Sequence, residues 1–191
     1  MLGRQAKIIS PVTLRAMLAY ARKTRSPLRD QAIVLLSVRA GLRAKEIANL
    51  EWSMVLNGSG TIADTIDIRN AIAKKRRGRR IPMHPELQKA LTTLWFVRRS
   101  DQYVAASIRG GPMRPNSIVN WFVAMFAELG VEGCSSHSGR RTFITTTARN
   151  LHKAGGSLRD VQVLAGHASI DTTQRYIEGD TDSQRRLVDL L

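Results

Sequence analysis

Two histidines, an arginine and a tyrosine recur at spacings suited to attack on a phosphodiester. The stretch reads His137-Ser138-Gly139-Arg140-Arg141-Thr142-Phe143, then Leu164-Ala165-Gly166-His167, and nine residues later Tyr176. A tyrosine hydroxyl becomes a nucleophile once a base removes its proton. An arginine fork matches two phosphate oxygens, and imidazoles hold or move protons nearby. Such chemistry also needs a second arginine, a proton donor and a surface for nucleic acid. Arg43, in Gly41-Leu42-Arg43-Ala44-Lys45-Glu46-Ile47, and the basic run Lys74-Lys75-Arg76-Arg77-Gly78-Arg79-Arg80 offer them.

Composition agrees with such a partner. Thirty Lys and Arg against fifteen Asp and Glu give the 191-residue chain a formal charge of +15. That excess favours a polyanion. No apolar run approaches the roughly 20 residues that span a bilayer, and no signal-peptide core follows Met1, so no membrane partner is expected. A single cysteine, Cys134, rules out an internal disulfide framework and fits a reducing cytoplasm. With no other cysteine beside the histidines, no metal site and no cofactor are expected. Aromatic residues make up 5% of the chain, too few for the stacking stripe of a single-strand binder, so duplex DNA is the expected partner. Trp52, Trp95 and Trp121 read as packing residues instead.

The elements that must position these residues follow from periodicity. Ser10-Pro11 reads as a helix N-cap followed by proline at the first helical position, and Leu14, Met17, Leu18 and Ala21 recur at helical spacing. Further helices are expected at about 28–39 (ending at Gly41), 44–51, 85–99, 115–129, 137–151, 158–164 and 172–177. Asn57-Gly58-Ser59-Gly60 signals a turn. Ile62, Ile66 and Ile68 then alternate like a strand with one buried face, and Ile81-Pro82-Met83 resumes the pattern after the basic run. Two antiparallel strands joined by a basic hairpin turn near Gly78 are predicted. The fold class is α+β, mainly α-helical with a small antiparallel sheet, and one domain is expected over 1–191. The end of the chain, from Ser183, reads as a short amphipathic tail carrying Leu187, Val188, Leu190 and Leu191.

Taken singly these features are ordinary. Arg43 and Glu46 fit a surface i,i+3 ion pair, and Gly166-His167 fits a helix C-cap. Tyr176 fits a partly buried anchor. Their joint order is not ordinary. Gly41–Ile47, the basic hairpin, His137-x-x-Arg140, Gly166-His167 and Tyr176 together resemble the catalytic domain of the tyrosine recombinases, the phage integrase family, including its Xer-type members. The resemblance runs from about Ser10 to Tyr176. It implies that family's catalytic-domain fold, with Arg43 and Arg140 as the two active-site arginines and Glu46 as the acidic residue one turn on. It implies His137 and Arg140 as the His-x-x-Arg pair, His167 at the His/Trp position and Tyr176 as nucleophile. Counting back from Pro82 favours Lys74 as the hairpin lysine, and a one-residue difference in the hairpin makes it Lys75. Ala165 stands where the family usually has leucine.

The residue types suit the implied reaction. In-line attack concentrates negative charge on the non-bridging oxygens, which two fixed arginines neutralise. Arginine stays charged and its planar fork takes both oxygens. Tyr176, with an ordinary pKa near 10, needs a base, for which His137 is the candidate. The hairpin lysine would protonate the departing 5′-oxygen, His167 would donate to the phosphate, and Glu46 would orient a neighbour. The resemblance implies a 3′-phosphotyrosine link, a homotetramer on two paired DNA sites and a monomer when free, at the cytoplasmic nucleoid. Expected DNA contacts are Lys45, Arg76, Arg77, Arg79, Arg80, Arg114 and Arg141. Many members carry an additional helical domain before the catalytic one. Here the pattern begins almost at Met1, which reads as a catalytic fragment or a naturally short recombinase similar to the fimbrial invertases. A DNA-binding protein without turnover and a type IB topoisomerase are the alternatives.

Overall fold

The computed structural model describes residues 6–74, 77–98, 101–176 and 188–189. Lys75, Arg76 and the tail expected from Ser183, apart from Val188 and Asp189, lie outside the described residues, as do Arg99 and Ile177 at the ends of two expected helices. The chain divides into two compact units, Met1–Phe143 and Ile144–Leu191.

In the first unit, α1 (Pro11–Arg22) opens as its sequence predicts. The Ser10 hydroxyl accepts the Thr13 N–H at 3.0 Å, and Pro11 needs no partner for a missing N–H. Leu14, Met17 and Ala21 form its buried stripe. Helix α2 (Pro27–Arg39) is buried all along from Ala32 to Val38, the environment its apolar composition requires. It packs against α1 and against α4 (Pro85–Arg98), which contributes Leu87, Leu91 and Leu94. Helix α3 (Ala44–Ala48) is shorter than the expected 44–51. Its chain turns after Leu50, where Glu51 bridges to Tyr103 and a 3-10 turn covers Trp52–Met54. Helix α5 (Pro115–Glu128) packs on α3 and buries Ile118, Phe122 and Met125.

The sheet has two antiparallel strands, β1 (Thr65–Ile68) and β2 (Arg79–Pro82), in the register Ile66 to Ile81 and Ile68 to Arg79. Ile62 is not part of β1; it bridges to Leu56 across the Asn57–Gly60 turn. That turn is held by the Asn57 side-chain carbonyl, which accepts from Ser59 N–H and Thr61 N–H. The predicted tight hairpin near Gly78 is instead a longer connection from 69 to 78, with Gly78 at its end donating its N–H to Asn70. Ile72 and Ala73 are buried within that connection, which gives it apolar anchors a tight turn lacks.

The tryptophans serve packing, as read. Trp52 is buried 4.8 Å from the ring of Trp95, and Trp121 meets Tyr20 and Phe122 edge-on. Helix α6 (Ser138–Arg149) contains the boundary between the units. The second unit continues with α7 (Leu151–Ala154), α8 (Leu158–Ala165) and α9 (Ile170–Gln174). The expected helix 137–151 thus stops at Arg149, and Asn150 starts a separate short one. At the start of α8 the Ser157 backbone N–H and hydroxyl both donate to the Asp160 carboxylate, which holds that carboxyl below its ordinary range. Among the described residues no helix is long and apolar enough to cross a membrane.

Candidate functional site

The turn after α2 organises the arginine positions of the first unit. Gly41 has φ +63, and a Cβ there would run into the Phe143 ring, so both conformation and space demand glycine. Its carbonyl oxygen accepts from Arg140 Nη1 at 2.7 Å, which ties the buried Arg140 guanidinium to the α2–α3 turn from 99 residues away. Two residues beyond Gly41, Arg43 is the N-cap of α3. A second glycine permits the approach of α6 to α2: a Cβ on Gly139 would meet the Ser37 hydroxyl. One turn therefore fixes one arginine through its backbone and carries the other.

Arg43 is held by Glu46. Glu46 Oε1 accepts from Arg43 Nη1 at 3.0 Å and Oε2 from the Arg43 backbone N–H at 2.9 Å. Arg79 grips the same carboxylate with its whole fork, Nη1 to Oε1 at 2.9 Å and Nη2 to Oε2 at 3.0 Å. The Glu46 and Arg79 side chains are only 1% and 3% exposed, so this pair is dry, whereas Arg43 reaches 21%. Burial pushes the Glu46 carboxyl up, but the bonds and charge of Arg79, then the contacts of Arg43, outweigh it and hold it at about 2. Glu46 is therefore ionised at neutral pH. Two arginines on one carboxylate leave a net positive charge, and Arg43 is the partly exposed member.

Arg79 was expected among the DNA contacts, and its placement is different. It lies on the inward side of β2 with Ile81, and its guanidinium is committed to Glu46. The other basic residues differ from it. Lys45, Lys74, Arg77, Arg80 and Arg114 are exposed. Arg80 faces Asp67 at 3.7 Å with both side chains well exposed, a weak pairing. Arg141 is half-buried, and its Nε has no hydrogen-bond partner among the described residues. His137 is exposed just before α6 and lines a cavity of about 430 Å³ with Lys7, Glu132 and Cys134.

In the second unit, Gly166 closes α8 in the left-handed conformation, φ 63, and delivers His167 directly after it. His167 is buried, and its Nδ1 lies 3.0 Å from the Thr173 hydroxyl of α9. Its carbonyl accepts from the Gln162 side chain at 3.2 Å. Tyr176 follows α9, half-buried, its N–H donating to Thr173 at 3.0 Å. Its ring stacks on that of His167 at 5.6 Å and 24°. Thr173 thus touches both residues, through its side chain to one and its carbonyl to the other.

Sequence reasoning missed Thr173, because a threonine in a short helix carries no signal of its own. It also missed a basic cleft of about 610 Å³ between the α1–α2 turn and the start of α5, lined by Arg25, Arg29, Arg109 and Arg114. Arg29 is occupied there, bound to Asp30 at 2.8 Å and to the Ala106 carbonyl at 3.1 Å. Arg25 and Arg109 are exposed. Their separation in sequence, not their type, concealed them.

Residues 7–182 match the family model described as the phage integrase family. The tyrosine recombinase XerC of Myxococcus xanthus is 30% identical over 167 residues, which cover 82% of this chain and 52% of that protein. A crystal structure of XerA recombinase superposes with TM-score 0.75 at 26% identity, covering 96% of this chain and 64% of that one. The XerH site-specific recombinase bound to its difH substrate shares the fold at TM-score 0.73 and 18% identity, covering 98% of this chain and 55% of that one. The chain spans about half the length of the curated XerC relative.

Proposed function

The chain belongs to the phage integrase family, and from that premise we propose that it is a tyrosine-type site-specific DNA recombinase, cleaving and rejoining duplex DNA through a 3′-phosphotyrosine intermediate at Tyr176. The observation that carries the reading is the Gly41–Arg43 turn, which holds Arg140 by its carbonyl and presents Arg43 from a buried carboxylate. Two arginines fixed this way neutralise a phosphate whose charge grows during in-line attack, at no cost of reorientation when the reaction occurs.

The steps follow from the residue chemistry. The Tyr176 oxygen attacks phosphorus while its proton passes to His137. The bond from phosphorus to the 5′-oxygen breaks, and that oxygen takes a proton from Lys74, leaving a free 5′-hydroxyl and a 3′-phosphotyrosine. Rejoining reverses the sequence with the 5′-hydroxyl of a new partner strand, so the energy of the phosphodiester is conserved. His167, its ring fixed by Thr173, donates a hydrogen bond to the phosphate.

The partner is duplex DNA, held by Lys45, Arg77, Arg80 and Arg114 and by Arg25 and Arg109 of the basic cleft. Arg76 and Arg141 remain assigned to the same task. The Tn1549 transposon integrase, which shares the fold, is in complex with a circular intermediate DNA, and the charge of +15 suits such a partner. Four copies assemble on two paired sites at the nucleoid, each a monomer when free, and the whole of 1–191 serves as one catalytic domain. A trapping assay tests the reading. On a nicked duplex that loses the short leaving strand after cleavage, the protein is expected to form a covalent adduct stable on a denaturing gel. A wild type that binds and bends its site yet never forms the adduct is a DNA-binding protein, and the enzymatic reading fails.

A further inference from the structure

Glu46 has a softness that the site must correct. The last torsion of a glutamate joins an sp³ to an sp² carbon and has a broad energy well. Its carboxylate can therefore swing unless something clamps it. Here both oxygens serve Arg43: Oε1 takes the guanidinium and Oε2 takes the backbone N–H that starts α3. Any rotation of the carboxylate plane would disturb both bonds at once.

Arg79 supplies the clamp. Its two terminal nitrogens meet the two oxygens in parallel, at 2.9 and 3.0 Å, a geometry that fixes a plane where a single contact would fix only a point. The clamp is dry, and β2 pairing with β1 opposite Ile68 holds its backbone. We propose that Arg79 is a positioning residue for the reaction, setting the plane of Glu46 and through it the aim of Arg43 at the phosphate; the proposal rests on the recombinase reading above. An arginine inside a basic run thus acts on an arginine in another element without touching DNA. Lysine cannot replace it, because an ammonium carries the charge but grips one oxygen at a time.

The test is single-turnover adduct formation by the full chain, with DNA affinity measured beside it. Arg79→Met is expected to cleave about 10²-fold more slowly, the scale of a small misplacement of a catalytic group, with DNA affinity unchanged. If Arg79→Met does not fold, Arg79→Lys carries the test, with a loss of about tenfold and no loss of DNA affinity. Two further readouts separate positioning from other roles. On the Arg43→Ala background, Arg79→Met is expected to add no further loss, since residues acting through one another are not additive. A substrate with sulfur at the 5′-bridging position has a leaving group that needs little protonation, because a thiol ionises far more readily than an alcohol. It is expected to leave the Arg79 defect in place. Full wild-type rates in both Arg79 variants, additive losses with Arg43→Ala, or recovery on the sulfur substrate would each overturn the proposal, the last by assigning Arg79 to the proton donor's side. A wild type that forms no adduct on either substrate instead removes the recombinase reading, and this proposal with it.

Discussion

The arginine cluster of the first unit and the histidine–tyrosine pair of the second are held by different kinds of contact. Around Glu46 the holding forces are charged, buried and multiple, with four hydrogen bonds on one carboxylate. Around His167 the contacts include a threonine hydroxyl, a glutamine amide and a ring stack. The scaffolds differ too. Glu46 lies in the five-residue α3, which packs on α2 and α5 and is gripped from β2, whereas His167 and Tyr176 follow helices of eight and five residues; helices this short are not stable by themselves. A group that stabilises charge profits from being fixed beforehand.

Substitutions can break that contrast. The largest effect is expected from Arg140→Ala, with cleavage slowed about 10³-fold in the trapping assay, the upper range for losing one preorganised donor to developing charge. Gly41→Ala comes next. A left-handed alanine costs about 1–2 kcal/mol and the collision with Phe143 adds more, so thermal denaturation should show a loss of about 2–4 kcal/mol, with the Arg140 acceptor displaced. Thr173→Val keeps the shape and removes the hydroxyl that holds His167. Cleavage should fall about tenfold, in the range of a lost neutral hydrogen bond, with a smaller effect on stability than Gly41→Ala.

Acid titration sharpens the comparison. Glu46 is held at about 2, below its ordinary 4.5, so the stability it contributes is complete above about 4.5 and is lost as pH falls toward 2. Glu46→Gln should be less stable at neutral pH and should flatten the acid limb of the pH–stability curve over that window. An unchanged acid limb would mean that the arginine cluster is not held by charge. The smallest effect belongs to the basic cleft. Arg109→Ala should reduce the slope of log affinity against log salt by about 0.9, with the rate of cleavage at saturating DNA unchanged.

Much of the scaffold was legible. The Ser10-Pro11 cap, the apolar run of α2 from Ala32 to Leu36 and the alternation of Ile66, Ile68 and Ile81 each have a local cause, and local causes are written in neighbouring residues. The order of Arg43, His137, Arg140, His167 and Tyr176 was legible as a pattern, while the bonds that hold those residues were not. The Gly41 carbonyl serving Arg140 joins positions 99 apart, and no spacing rule reaches that far. Arg79 is different, because a signal was present. It stands two residues before Ile81, and a strand returns to the same face every second residue, so an inward Ile81 implies an inward Arg79. The surrounding basic run hid that alternation. The length of the β1–β2 connection was hidden too, since Ile72 and Ala73 pack within a segment that reads as a charged turn.

The most direct test is to locate the covalent bond itself. The trapped adduct would be digested with nuclease and trypsin and the nucleotide-bearing peptide sequenced by mass spectrometry. The account predicts a phosphodiester remnant on Tyr176, in the peptide that begins after Arg175, and no adduct from Tyr176→Phe. A remnant on Tyr20, Tyr103 or Cys134, or an adduct that survives Tyr176→Phe, would contradict it.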